Sequence, residues 1–263
     1  MKLLAKSPFL GSGAATLCVL CVFCVFCVVR SFAVRLGQSN EETFRKLREE
    51  MVRTQIATPR WTGSDAVTDP RVLEVMRLTP RHRFVPPSQL AYAYEDRPLP
   101  IGYGQTISQP FIVAKMTELL ETKKDKRALE VGTGSGYQAA VLAQLVAEVY
   151  TIEIIEPLGQ AAKERLRSLS YRNIDVRVAD GYYGWPEKAP FDAIVVTAAA
   201  NHIPPPLVEQ LKPGGRMVIP VGNPFQTQTL MLVIKGHKGP RDIQVRSLMP
   251  VAFVPLVGGR RKN

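Results

Sequence analysis

With 263 residues, of which 46% are apolar and 22% charged, the chain is long enough for one α/β domain with extensions and has ample material for a sizeable core. Lys and Arg number 34 against 23 Asp and Glu, a formal charge of +11 that raises nucleic acid as a partner. The basic residues are nevertheless dispersed, with no basic stripe interleaved with aromatics, so nucleic acid is not expected. No internal repeat or low-complexity linker interrupts the body.

The amino-terminal 40 residues read as a hydrophobic segment and linker, set apart from a domain over 41–263. Gly13 to Val29 is apolar, preceded by Lys2 and Lys6 and followed by Arg30. As a helix it would reach about 25 Å, slightly short of a ~30 Å hydrocarbon core. It reads as a signal peptide with Ser31-Phe32-Ala33 as a small-residue cleavage site, as a short membrane anchor, or as the product of a start codon placed too far upstream. Cys18, Cys21, Cys24 and Cys27, all four cysteines of the chain, lie inside this run. An unbroken apolar run offers no loop to wrap a tetrahedral site, so no metal is expected, and the cysteine-free body reports nothing on redox compartment.

Within 41–110, Glu41 to Ala57 and Asp69 to Leu78 read as helices, and Tyr92 to Pro100 leads into a loop with two prolines and two glycines, Leu99 to Pro110. An amphipathic helix from Phe111 to Leu120 follows, with Ser108 or Gln109 where it should start and Pro110 acceptable at its first position. Read locally, Ser108 is then a helix N-cap, worth about 1 kcal/mol. Lys123-Lys124-Asp125-Lys126-Arg127 reads as a solvated connection.

Ala128 to Tyr137 is the most informative stretch. It reads as a buried strand, a glycine-rich turn and the start of a helix, which brings bare backbone against a nucleotide-like ligand. A dinucleotide fingerprint requires G-x-G-x-x-G, but Tyr137 stands three after Gly134 and the third glycine arrives early, at Gly136. Val149 to Glu153 is a short β-rich segment ending in an acid, which is either placed to accept ribose hydroxyls or a strand-end charge facing solvent. Ile174 to Ala179 alternates as a strand into Asp180-Gly181, which is either an adenine-reading acid or a plain Asp-Gly turn. Phe191 to Thr197 is a nearly continuous apolar run, as in a strand covered on both faces. A short helix from Ile203 to Leu211, a Lys212-Pro213-Gly214-Gly215 turn and a strand from Arg216 to Val221 come next. Thr229 to Ile234 and Ile243 to Phe253 read as a hairpin at a sheet edge. The fold class is therefore α/β: a doubly wound, mostly parallel sheet with a C-terminal antiparallel edge strand or hairpin. Its ligands should lie at the carboxyl ends of the strands, where the glycines, Glu153 and Asp180 all fall.

The pattern E-x-G-x-G-x-G resembles the first motif of S-adenosylmethionine-dependent methyltransferases. On that resemblance Glu130, Gly132, Thr133, Gly134, Ser135, Glu153, Asp180 and Gly181 hold the cofactor. Gly104-Gln105-Thr106-Ile107-Ser108-Gln109-Pro110, the glycine motif, Asp180-Gly181, Phe191 to Ala200, Leu211 to Gly215 and Val251 to Leu256 occur in one order. Together, from about Glu42 to Leu256, they resemble the protein-L-isoaspartate O-methyltransferase family. The resemblance implies methyl transfer from S-adenosylmethionine to the free α-carboxylate of isoaspartyl residues in damaged proteins and peptides, which initiates their repair. It implies an active-site role for Ser108, with Thr106, Ile107 and Gln109 on the substrate side. It also implies a cytoplasmic enzyme, since export would separate it from its cofactor. A monomer is expected, and any membrane contact is expected through the amino-terminal segment. Two positions depart from the family pattern: Asn201, where many relatives have proline, and Val113, where some carry histidine. An RNA or small-molecule methyltransferase and a non-catalytic cofactor-binding module stand as the alternatives.

Overall fold

Apolar and β-branched runs between residues 127 and 251 pair into a seven-stranded sheet, seen in a computed structural model that describes residues 40–58, 66–223, 225–239 and 242–259. The expectations for the apolar amino-terminal run and its cysteines lie outside the described residues. The chain forms two compact units, Met1–Lys46 and Leu47–Asn263. Of the first, residues 40–46 are described; they are helical and carry an exposed Arg45–Glu42 ion pair. In the second, residues 47–51 are helical and lead into a π turn, Val52–Ile56.

The sheet strands are β3 (Arg127–Val131), β4 (Glu148–Glu153), β5 (Ile174–Val178), β6 (Phe191–Val196), β7 (Leu211–Val221), β8 (Gln228–Lys235) and β9 (Ile243–Val251). Their order is β5-β4-β3-β6-β7-β8-β9. The first five strands in this order are parallel, and β8 and β9 join antiparallel at one edge, so the doubly wound class and its antiparallel edge are as expected. Strand order reverses beside β3, so a crevice opens at the carboxyl ends there. Leu129, Val131, Ile152, Ile194, Val196 and Met217 lie in the core cluster at these central strands.

Among the described residues five further α-helices accompany the strands: α1 (Pro70–Leu78), α2 (Pro110–Leu119), α3 (Tyr137–Ala143), α4 (Glu156–Ser168) and α5 (Pro205–Glu209). Asp69 caps α1 by accepting from the Arg71 N–H. All seven residues of α3 are buried, because it packs under the sheet with no solvent face.

Two segments differ from expectation. The Leu99 to Pro110 loop contains a small antiparallel ribbon, β1 (Leu99–Gly102) with β2 (Gln105–Ile107). Gly102, Tyr103 and Gly104 all take positive φ, and the two glycines make so tight a reversal affordable. The Lys212 to Gly215 turn is absorbed into β7. Leu211 is buried and pairs with Phe191, Arg216 pairs with Ala193, and the four residues between form an irregularity opposite Asp192. Helix α5 is correspondingly shorter than the Ile203 to Leu211 expected. Downstream, Ala199 N–H donates to Val254 O and Leu256 N–H to Ala199 O, both at 2.8 Å, which lays the carboxy-terminal segment across the loop after β6.

Lys235 is buried, and its ammonium donates to the carbonyls of Val208 (2.8 Å), Glu209 (2.9 Å) and Leu211 (2.6 Å). Val208 and Glu209 lie in the last turn of α5, and Leu211 opens β7. Lys235→Met should cost about 2–4 kcal/mol in a urea titration with an unchanged m-value, since three buried acceptors lose a charged donor. A loss below about 0.5 kcal/mol would contradict this role.

Candidate active site

The site begins where β3 ends. The N–H groups of Gly132 and Thr133 both donate to Ile152 O, at 2.8 and 3.1 Å, folding the glycine loop against the end of β4. Thr197, just past β6, donates to the carbonyl of Gly132 at 2.7 Å. Gly132 takes φ 101°, and a Cβ there would overlap the Thr197 hydroxyl, so glycine is required on both counts. Gly136 caps α3, which starts immediately after the loop.

Two carboxylates support this loop. Glu153, at the end of β4, accepts from Gly134 N–H at 2.8 Å through one oxygen and from Ile155 N–H at 3.0 Å through the other. Glu130 is fully buried and accepts from the Thr151 hydroxyl at 2.6 Å, while the Thr151 hydroxyl lies 2.6 Å from that of Thr133. The three side chains form one hydrogen-bonded chain beneath the loop. The other Glu130 oxygen, Oε1, has no hydrogen-bond partner. Burial, with a smaller contribution from the Glu153 charge, pushes the Glu130 carboxyl up to about 8.

A cleft opens over this loop. It brings together Glu130, Gly132, Thr133, Gly134, Ser135, Glu153 and Gly181 with Thr106, Ile107 and Ser108. Gln109 lines an adjoining hollow with Ile112 and Met249 to Val254. Thr106, Ser108, Thr197 and Val254 line both, so they stand at the boundary between the two spaces. Asp180 is the exception among the expected cofactor residues. It does not line the cleft, and its oxygens accept from Tyr182 N–H at 3.0 Å and Gly259 N–H at 2.8 Å.

Ser108 is not the helix cap that its local sequence suggests. The cap of α2 is Gln109, without a side-chain cap bond, and Ser108 is half-buried beside the cleft. Val113, at the departure from the family pattern, is buried and lines the cleft with an apolar surface. His202 bonds the Tyr182 hydroxyl at 3.0 Å outside the lining. Gln138 is a lining residue that sequence reading missed; a lone amide in the apolar run Tyr137 to Ala143 was the available signal. No Lys, Arg or His is among the described residues lining the cleft. No group of His, Cys, Asp and Glu suited to a metal occurs among the described residues.

The family profile for protein-L-isoaspartate(D-aspartate) O-methyltransferase matches residues 60–261. The chain belongs to this family. It is 59% identical over 223 residues to protein-L-isoaspartate O-methyltransferase 2 of Syntrophobacter fumaroxidans, covering 85% of this chain and 87% of that one. It is 62% identical over 199 residues to protein-L-isoaspartate O-methyltransferase 2 of a Polaromonas species, covering 76% and 93%. Among solved structures, a Plasmodium falciparum chain assigned to the same enzyme, in complex with S-adenosyl-L-homocysteine, superposes with a TM-score of 0.65 at 25% identity, covering 80% of this chain and 97% of that one. Family membership accords with the resemblance carried by the Thr-Ile-Ser and glycine segments.

Glu130 also sets a pH dependence. Its folded carboxyl titrates at about 8, above the ordinary 4.5, so the native state holds a proton that the unfolded state has released across that window. Its contribution to stability is therefore present below about 4.5 and is lost as pH rises towards 8. In ligand-free protein, Glu130→Gln should raise Tm more at pH 8 than at pH 5.5. An equal effect at both pH values would contradict a raised carboxyl.

Proposed function

We propose that the cleft and the adjoining hollow together carry out transfer of the methyl group of S-adenosyl-L-methionine to the free α-carboxylate of L-isoaspartyl residues in damaged proteins and peptides. The observation that carries this reading is the convergence of Thr106–Ser108 and the glycine loop on one cleft. The cofactor is S-adenosyl-L-methionine, and the residues fit it. Gln138 Oε1 is a buried acceptor without a protein donor in a cleft lined on one side by bare loop backbone. Glu153 lies at the strand end suited to a ribose, and Gly181 at the next strand end suited to an adenine.

When bound, the cofactor supplies an electrophilic methyl group on a sulfonium. The accepting carboxylate, with a pKa near ~4, is already ionised at neutral pH and requires no general base. This accords with a cleft lining that has no histidine. Ser108, at the boundary of the two hollows, orients the carboxylate by hydrogen bonding, with Thr106 beside it. The absence of Lys and Arg from the lining also has a use. A cation clamped to the carboxylate would stabilise the charged ground state more than a transition state in which charge is being neutralised. Val254 to Val257 cover the cleft with apolar side chains and limit water, which opposes loss of charge. Positioning supplies the rest, and favourable model reactions reach effective molarities of order 10⁵–10⁸ M.

The damaged polypeptide occupies the adjoining hollow, where Gln109 and the carboxy-terminal residues meet it. We assign the reaction to the cytoplasm, where the cofactor is made, and to a monomer, with Gly13 to Val29 as the segment for any membrane contact. No helix among the described residues is long and apolar enough to cross a membrane.

Ser108→Ala should lower kcat/KM for an isoaspartyl peptide by tenfold or more while leaving the Kd for S-adenosylhomocysteine and the Tm unchanged. Unchanged turnover would remove Ser108 from the active site. Glu153→Ala should weaken cofactor binding by calorimetry, with the fold retained by circular dichroism; an unaltered Kd would remove Glu153 from the cofactor site.

A further inference from the structure

The side chain of Gln138 is held in one orientation by a directed pair of hydrogen bonds. Thr117 Oγ1, on α2, donates to Val113 O at 2.8 Å, so towards Gln138 it acts as an acceptor. It receives Gln138 Nε2 at 2.9 Å. That assignment fixes which end of the amide is which and leaves Gln138 Oε1 as a buried acceptor without a partner. Unsatisfied buried acceptors are rare, and one on the wall of a ligand cleft is suited to a ligand donor. No protein cation lines the cleft to meet it.

The position of Gln138 selects which ligand donor it meets. Along the sheet, the cleft passes from Gly181 after β5, through Glu153 at β4, to the glycine loop after β3. Gln138 is tied to α2, which packs on α3 and β7, away from the β5 end. The adenosine part of the cofactor belongs to the β5 and β4 end, so the far end is left for its amino-acid part. There the group with hydrogens to give is the α-ammonium.

We infer that Gln138 is a cofactor-binding residue whose Oε1 accepts a hydrogen bond from the α-ammonium of S-adenosylmethionine. This rests on the methyltransferase reading of the cleft. Gln138 thereby reads the amino-acid end of the cofactor, and Thr117 acts on it as a positioning residue.

The test is calorimetric titration of the full chain with two probes. S-adenosylhomocysteine has the complete amino-acid end, and 5′-methylthioadenosine has the adenosine and sulfur without it. Gln138→Leu should weaken S-adenosylhomocysteine by about 10- to 100-fold, as expected for loss of a hydrogen bond to a charged group, and leave 5′-methylthioadenosine within about twofold. Thr117→Val, which releases the amide without removing it, should weaken S-adenosylhomocysteine selectively but less. It tests the inference through a gentler change if the leucine variant does not fold. An unchanged affinity for S-adenosylhomocysteine, or an equal loss for both probes, would overturn the inference while leaving the methyltransferase reading intact. Failure of the wild-type chain to bind S-adenosylhomocysteine would overturn that reading and the inference with it.

Discussion

Between β3 and β6 the backbone of Gly132 passes so close to the Thr197 hydroxyl that no side chain fits between them. The same hydroxyl donates to the Gly132 carbonyl, so the contact is a bond as well as an exclusion. It fixes where the loop leaves the sheet. The loop amides then point at Glu153 and Ile152, α3 starts at Tyr137, and the cleft opens over exposed backbone. Thr197 also lines both hollows, so the contact that shapes the cofactor loop lies at the boundary with the substrate side.

The electrostatics of the cleft follow from what surrounds that contact. Two acids and no bases are found among its described lining residues. Glu153 is satisfied by backbone N–H groups, while Glu130 is buried with one oxygen unpartnered and its carboxyl pushed up to about 8. Such a wall offers the Glu153 carboxylate to a cationic ligand and leaves an incoming carboxylate free of a salt bridge. Both properties suit the joining of a sulfonium to a carboxylate, in which positioning and exclusion of water matter more than proton transfer.

Much of this was legible in the sequence because it is local. The glycine spacing, the acid at Glu153 and the apolar run of Phe191 to Thr197 each encode an element and its end, and the parallel order follows from strands alternating with helices. The Thr106 to Gln109 segment carried the family resemblance, although local sequence alone favours a helix cap for Ser108. What escaped depends on partners distant in the chain. Gln138 acquires its meaning from Thr117, 21 residues earlier, and Asp180 is engaged by Gly259, 79 residues later. Neither pairing leaves a trace in spacing or periodicity. The Lys212 to Gly215 segment reads as a turn because proline and two glycines dominate it; the burial of Leu211 against Phe191 draws it into β7.

The central claim is a reaction with a specific acceptor, and labelled methyl transfer tests it most directly. S-adenosylmethionine carrying a labelled methyl group would be offered with two peptides of identical composition, one with an isoaspartyl and one with an aspartyl linkage, to protein lacking Met1 to Gln38 and, in parallel, to the full chain. The account predicts label on the isoaspartyl peptide alone, released as methanol by mild base. Label on both peptides, or on neither while S-adenosylhomocysteine binds, would contradict it.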